Sequence, residues 1–243
     1  MDIEKIYNDM KSFLPENQLL MHEPMKNHTS FKIGGEADIL VSPATEDQII
    51  EVIRYCSDMN VPIFVMGNGS NLLVSDKGIR GVVLKIAGSF SNVDIAEDRM
   101  NVETGILLSS LANRALKESL SGLEFASGIP GTLGGALAMN AGAYGSEMKD
   151  VVVSITAVDM QGNMIELEGD MLEFGYRTSR LQRKGLIALK TILELEKGDP
   201  SRIKETMVEL TRRRREKQPL SYPSGGSVFK RPEGYYAGKL IQD

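Results

Sequence analysis

Between Phe125 and Ser146 the chain runs for 22 residues without a charged side chain, and six of them are glycine. That length would suffice to cross a bilayer. Six glycines and Pro130 make a poor spanning helix, however, and small residues at this density point to backbone packed tightly on backbone or on a ligand. Pro130 fixes one turn, and Gly128 and Gly131 permit close approach. Gly134 with Gly135 let a short helix begin there, its amides aimed at phosphate or ring oxygens. Close helix packing is the alternative use of the same residues. A second loop, formed by Gly67, Asn68, Gly69, Ser70 and Asn71, follows the apolar run PIFVM and so sits at a strand's carboxyl end. Its N–H groups either converge on an anion or make a plain turn. It is neither a GxGxxG that opens a long helix nor a phosphate loop ending in Lys-Ser/Thr. Two such loops in one chain predict a long, phosphate-bearing cofactor.

Composition narrows the class. A chain of 243 residues with net charge -5, 25% charged and 42% hydrophobic is ordinary globular protein of one to two domains. The negative balance argues against a protein that coats nucleic acid. Cys56 is the only cysteine, so neither an intrachain disulfide nor an all-cysteine metal site can form, which fits a reducing compartment. His22 and His28 are too few and too poorly partnered for a metal site, and none is expected. MDIEKIYNDMKSFL is acidic and amphipathic, unlike a secretory signal. A cytoplasmic location without membrane insertion is expected.

The periodicity predicts mixed α and β structure. Ile49, Val52, Ile53 and Cys56 recur at helical spacing behind a Thr45 cap, and Leu108, Leu111, Ala112, Ala115 and Leu116 form a second stripe. VVLKIAG, NVDIAED and RMNVETG read as strands, VVVSITAVDM-QGN-MIELEG as a hairpin, and LIALKTILELE as a further strand. GDP then breaks the chain, and SRIKETMVELTRRRREKQ begins a charged helix with Ile203, Met207 and Leu210 facing one way, so a boundary is expected near residue 200. Arg212 to Arg215 could recognise phosphate, but read first as a solvated basic helix end. The methionines at 10, 21, 25, 59 and 66 read as adaptable packing.

Five segments in order, NHTSFKIGGEADILVSP, GNGSNLLVSDKGIRGVV, SGIPGTLGGALAMNAGAYG, FGYRTSR and GGSVFKRP, resemble the UDP-N-acetylenolpyruvoylglucosamine reductase (MurB) family, flavoenzymes of peptidoglycan synthesis. The resemblance runs from about residue 25 to the end. FKRP and Tyr144 match the subgroup that lacks an extra substrate-capping insertion. The resemblance implies an α+β chain with the FAD-binding fold of the vanillyl-alcohol-oxidase (PCMH) type. Residues 1–88 and 89–199 would be two subdomains gripping the cofactor, and 200–243 a substrate-binding domain, expected to be incomplete.

The resemblance also implies the cofactors FAD and NADPH, and UDP-N-acetylglucosamine enolpyruvate as substrate, reduced to UDP-N-acetylmuramate. Gly67, Asn68, Gly69, Ser70 and Asn71 would hold the FAD pyrophosphate. Gly128, Ile129, Pro130, Gly131, Gly135, Asn140, Gly142 and Gly145 would line the flavin, with Thr29, Phe31 and Gly34 in the first cofactor-facing segment. Arg177 matches the family's enolate-stabilising cation and Ser227 its proton donor, with Tyr176, Lys217 and Arg231 toward the substrate. From the residues alone, the alternative for Arg177 is a surface ion pair, Ser227 reads first as a small turn residue, and Lys217 and Arg231 read equally as solvated charges. The family's C-terminal catalytic carboxylate has no counterpart up to Asp243. Two other readings stand beside this one: another FAD-dependent oxidase or dehydrogenase of the same fold, and a flavin or UDP-sugar binding module without catalysis.

Overall fold

The structure, a computed structural model, describes residues 1–218 and 221–242. The QPL run after Lys217, read from the sequence as a turn, and the chain end at Asp243 fall at least partly outside them. α1 (Ile3–Met10) is capped by Asp2, whose carboxylate accepts from the Lys5 amide at 3.0 Å, and it buries Ile6 and Met10. β1 (Leu19–Pro24) and β2 (Glu36–Val41) pair antiparallel. α2 (Glu46–Asp58) then crosses over to β3 (Ile63–Met66), and both β2 and β3 flank β4 (Ile79–Lys85) in parallel, so the first sheet runs β1-β2-β4-β3.

α2 is the helix that the 45–60 spacing predicts. Thr45 accepts from the Gln48 amide, and Ile49, Val52, Ile53 and Cys56 are all buried. Burying each large aliphatic side chain of this stripe stabilises by about 1.5–3 kcal/mol. β2 and β4 each carry an apolar run, Ile39–Val41 and Val82–Leu84, because there the sheet is covered on both faces. Ile39, Val41, Val82 and Leu84 join the core under α1 and α2, while Leu40 and Val83 join a smaller cluster with Met25, Met66 and Val74. The register between β2 and β4 shifts after Ala37. There the buried Asp38 accepts from the Gly81 amide at 2.8 Å and pairs with Arg80.

β5 (Val93–Ala96) and β6 (Arg99–Glu103) begin the second sheet, and α3 (Leu108–Lys117) follows. Next come β7 (Leu120–Ser121), α4 (Leu133–Ala138) and the small hairpin of β8 (Gly142–Ala143) with β9 (Ser146–Glu147). β10 (Val152–Val158), β11 (Met164–Glu168) and β12 (Ile187–Glu194) complete an antiparallel sheet in the order β11-β10-β12-β6-β5. α5 (Arg180–Lys184) precedes β12, and β13 (Glu196–Lys197) pairs with β7. α6 (Pro200–Lys217) and α7 (Ala237–Gln242) follow.

Leu108, Leu111, Ala112 and Ala115 of α3, Leu133 and Leu137 of α4, and Ile203 and Met207 of α6 close one core over Met100, Val102, Ile155 and Leu193. The helix that starts at residue 200 therefore lays its first half on α3 and β7 and shares the core of the second sheet. Val158, Ile187 and Leu189 of that sheet belong instead to the core of the first sheet, where the two meet.

The hairpin turn is longer than the expected QGN. Asp159 accepts from the amides of Gln161 and Asn163, both at 2.9 Å, so β10 stops at Val158. A local side-chain bond here replaces a ladder bond. Of the methionines read as packing, Met10, Met25 and Met66 are buried, whereas Met59 is exposed because it caps the end of α2. Among the described residues no helix is long and apolar enough to cross a membrane, and no His, Cys, Asp or Glu cluster could hold a metal ion.

Candidate active site

The two glycine loops meet. Gly67–Asn71 leaves the end of β3, Pro130–Thr132 leads into α4, and Ser70 Oγ donates to the Pro130 carbonyl at 2.9 Å. A Cβ on Gly67 would stand 2.1 Å from Thr132 Oγ1, and one on Gly69 2.0 Å from the His28 carbonyl oxygen. Gly69 also lies at φ +64° and Gly131 at φ +130°, so close approach and backbone conformation both require glycine. The Ser30 amide donates to the Gly69 carbonyl at 3.1 Å, which brings the NHTSF segment onto the same surface. The amides of Asn68, Gly69, Ser70, Asn71, Gly131 and Thr132 have no acceptor among the described residues. Clustered free N–H groups of this kind form a concavity suited to an anion.

The start of α4 departs from expectation. The Leu133 and Gly134 amides donate to the carbonyls of Ile106 at 2.9 Å and Thr104 at 2.8 Å, because this turn is fastened to the connection between β6 and α3. The Gly135 amide is the one left without an acceptor among the described residues in that first turn.

Arg177 sits in a tight turn. The Gly175 amide donates to the Thr178 carbonyl at 3.0 Å and the Thr178 amide returns a bond at 3.2 Å, leaving Tyr176 exposed and Arg177 in the left-handed region at φ +56°. A non-glycine residue holds that conformation at a cost of about 1–2 kcal/mol. The turn is tied down by its surroundings. Ser179, fully buried, donates to the Ala138 carbonyl at 2.8 Å, and Arg177 Nη2 donates to the Gly142 carbonyl at 3.3 Å. Asn140, also buried, donates to Glu147 and to the Gly175 carbonyl at 3.2 Å, while its Oδ1 accepts from the Lys149 amide at 3.0 Å. Of Asn140, expected among the residues lining the flavin, the side chain is committed within the protein and the backbone remains to face a cofactor. Gly145, at the tip of the β8–β9 hairpin, has nothing within 4 Å of its Cβ position.

The GGSVF segment arrives from the far end of the chain. Ser30 and Ser224 exchange two bonds, Oγ to carbonyl at 2.6 Å and amide to carbonyl at 3.2 Å, and Gly226 comes within 3.5 Å of Asn71 Oδ1 at its Cβ position. Ser227 follows, exposed and with no hydrogen-bond partner among the described residues. The Arg231 amide donates to the Tyr176 hydroxyl at 3.2 Å, and its guanidinium lies over the Tyr236 ring at 4.1 Å. Lys217, at the end of α6, is exposed, and among the described residues no contact ties it to the others.

Arg214 was hidden by the run of arginines around it. Arg212 and Arg213 bond Glu209 in solvent, as expected of a helix end, but Arg214 turns inward. Its Cδ reaches 3.3 Å from the Cβ position of Gly128, burial pushes its pKa down, and it has no acceptor among the described residues. The spacing Ile203, Met207, Leu210, Arg214 carries the signal, since Arg214 continues the inward stripe. His28 is likewise better partnered than the sequence suggests. Its Nδ1 accepts from Lys85 at 3.0 Å and its Nε2 donates to Glu23 at 2.9 Å, a tautomer set by an ammonium that can only donate.

Residues 37–168 match the family described as FAD binding domain. The whole chain is 55% identical to UDP-N-acetylenolpyruvoylglucosamine reductase of Alkaliphilus oremlandii and 50% identical to that of Clostridioides difficile, covering 80% of each. The chain belongs to the UDP-N-acetylenolpyruvoylglucosamine reductase family. The crystal structure of the Thermus caldophilus reductase aligns with a TM-score of 0.78 at 34% identity, over 92% of this chain and 78% of that one. Alkyldihydroxyacetonephosphate synthase, at 18% identity and a TM-score of 0.59, covers 81% of this chain and 43% of its own, and shares the fold alone. The fold of this reductase-family chain is therefore the α+β FAD-binding fold of the vanillyl-alcohol-oxidase type, and the protein is an FAD-dependent oxidoreductase. Its residues fit that cofactor: amides on two adjoining loops for a diphosphate and a half-buried guanidinium, all without an acceptor among the described residues, and open glycine backbone at Gly145.

Proposed function

We propose that this reductase converts UDP-N-acetylglucosamine enolpyruvate to UDP-N-acetylmuramate with NADPH as hydride source, in the cytoplasm, as a step of peptidoglycan synthesis. When bound, FAD supplies the hydride relay between NADPH and the enol carbon. Hydride addition leaves negative charge delocalised into the neighbouring carboxylate. Arg177 holds that charge, because a planar guanidinium meets both carboxylate oxygens and stays protonated throughout. Ser227 delivers the proton to the adjacent carbon, helped by a neighbouring cation or a water, since serine alone is too weak an acid.

The amides of Gly67, Asn68, Gly69, Ser70 and Asn71 hold the cofactor diphosphate. Gly128, Ile129, Pro130, Gly131, Gly135, Gly142, Gly145 and the backbone of Asn140 give the flavin close approach. Tyr176, Lys217 and Arg231 take the uridine diphosphate end. Residues 1–88 and 89–199 act as the two cofactor subdomains and 200–243 as the substrate-binding part.

The observation that carries the reading is that the chain around GGSVFKRP meets both the NHTSF segment, through the Ser30–Ser224 pair just ahead of it, and the turn that carries Arg177, through the Arg231–Tyr176 bond, in a member of a family named for this reaction. The test is anaerobic. NADPH should bleach the yellow protein, and the enolpyruvyl substrate should restore its colour. Arg177→Lys should bleach normally but recover at least tenfold more slowly, about 1.4 kcal/mol of lost stabilisation. Ser227→Ala should retain FAD and bleach, yet form little product, with Ser227→Cys recovering part. Colour that the substrate does not restore in the parent protein would assign it another acceptor.

A further inference from the structure

Asn140 is buried, adopts a left-handed backbone at φ +40°, and has every side-chain hydrogen-bonding atom engaged across three stretches of chain. One orientation of its carboxamide satisfies all of them. The Glu147 carboxylate and the Gly175 carbonyl can only accept, and the Lys149 amide can only donate, so the nitrogen must face the first two and the oxygen the third. Glu147 is itself anchored. Its carboxylate pairs with the Lys149 ammonium at 3.0 Å, and its amide donates to Asp150 at 2.8 Å in a reciprocal cap on Met148–Asp150.

Gly175 opens the turn that presents Arg177 at φ +56°. A left-handed arginine persists where its surroundings over-determine it. Its own guanidinium contributes one long bond, 3.3 Å to the Gly142 carbonyl, so the turn is held mainly from behind. If Glu147 lost its carboxylate, the Asn140 carboxamide would lose one of its two acceptors and be held only by the Gly175 carbonyl and the Lys149 amide, so its grip on Gly175 would loosen.

We propose that Glu147 and Asn140 are positioning residues for Arg177: Glu147 locks the Asn140 carboxamide, whose second N–H holds the Gly175 carbonyl and thereby aims the arginine. The proposal rests on the reading of Arg177 as the enolate-stabilising cation.

In Glu147→Ala the amides of Gly175 and Thr178 should exchange with solvent at least tenfold faster, while those of β12 keep their protection. Bleaching by NADPH should proceed at the parent rate, and recovery of colour with UDP-N-acetylglucosamine enolpyruvate should slow at least tenfold. Glu147→Gln, whose amide oxygen still accepts from Asn140, should keep most of the protection and of the rate. Combined with Arg177→Lys, Glu147→Ala should add little further slowing, because both act on one interaction. If Glu147→Ala loses its flavin, Glu147→Asp, with the carboxylate withdrawn by one methylene, replaces it in the same measurements. Unchanged exchange at 175–178, a Glu147→Gln as slow as Glu147→Ala, or full multiplication with Arg177→Lys overturns the proposal. Arg177→Lys recovering colour at the parent rate overturns the underlying reading instead, and exchange at 175–178 then still decides whether Glu147 holds the turn.

Discussion

Gly69 carries two constraints at one atom, a φ of +64° and a carbonyl 2.0 Å from where a Cβ would stand. Gly69→Ala must therefore either strain the loop or push it off the His28–Ser30 backbone, at a cost of about 1–3 kcal/mol. We expect a lower thermal midpoint together with a reduced flavin-to-protein ratio, and a parent-like ratio would remove this loop from the cofactor site. Cys56 makes a sharper probe of the fold. Burial pushes its thiol up to about 12, and it is the only cysteine. At pH 8 a thiol reagent should label the native protein only as fast as it unfolds. Rapid labelling under native conditions would mean that the α2 face opens locally. His28 makes the complementary point, since the chain around it carries no sign of Lys85, which the parallel pairing of β3 and β4 brings within reach.

α6 combines features that propensity makes visible with one that it does not. Asp199 accepts from the Ser201 amide at 2.8 Å ahead of Pro200, so Asp199→Ala should cost about 1 kcal/mol, measurable by denaturant unfolding. Further along, hydrogen bonds from Arg212 and then Arg213 hold the Glu209 carboxylate down at about 2. A carboxylate with a depressed folded pKa contributes stability that is present above its ordinary value and lost as pH falls through the folded one. The window here is from about pH 4 down to about 2. Carboxyl NMR should show Glu209 titrating well below the other exposed glutamates, with the difference shrinking in molar salt. Titration at the ordinary value even in low salt would mean that these pairs do not form in solution.

The two sheets share a core at their junction, and Leu189 is the place to test it. Leu189 belongs to β12 of the second sheet but is fully buried in the core of the first. Leu189→Ala should cost about 2–5 kcal/mol and still give one thermal transition, because both sheets lose the same packing. Two separated transitions would show that the halves unfold independently. If FAD is held between loops of both sheets, as proposed, it should raise that midpoint, by about 2.7 kcal/mol of stability at a hundredfold excess over its dissociation constant. Calorimetry with and without added FAD measures it, and an unmoved midpoint would remove the loops as its binding site.

Periodicity alone located α2, α3, the β10–β11 hairpin and the start of α6, because these depend on neighbours within a few residues along the chain. The glycine loops were legible for a related reason: a left-handed φ or a backbone approach near 2 Å excludes every other residue, whatever the partner. The partners themselves were not legible. The meeting of Ser70 with Pro130, the inward turn of Arg214 and the locking of Asn140 by Glu147 all depend on how segments pack together in three dimensions. Such contacts are made between groups that local sequence leaves polar and unassigned. A buried amide is satisfied only by the acceptor that the fold delivers to it, so chemistry of that kind was decided by the tertiary structure.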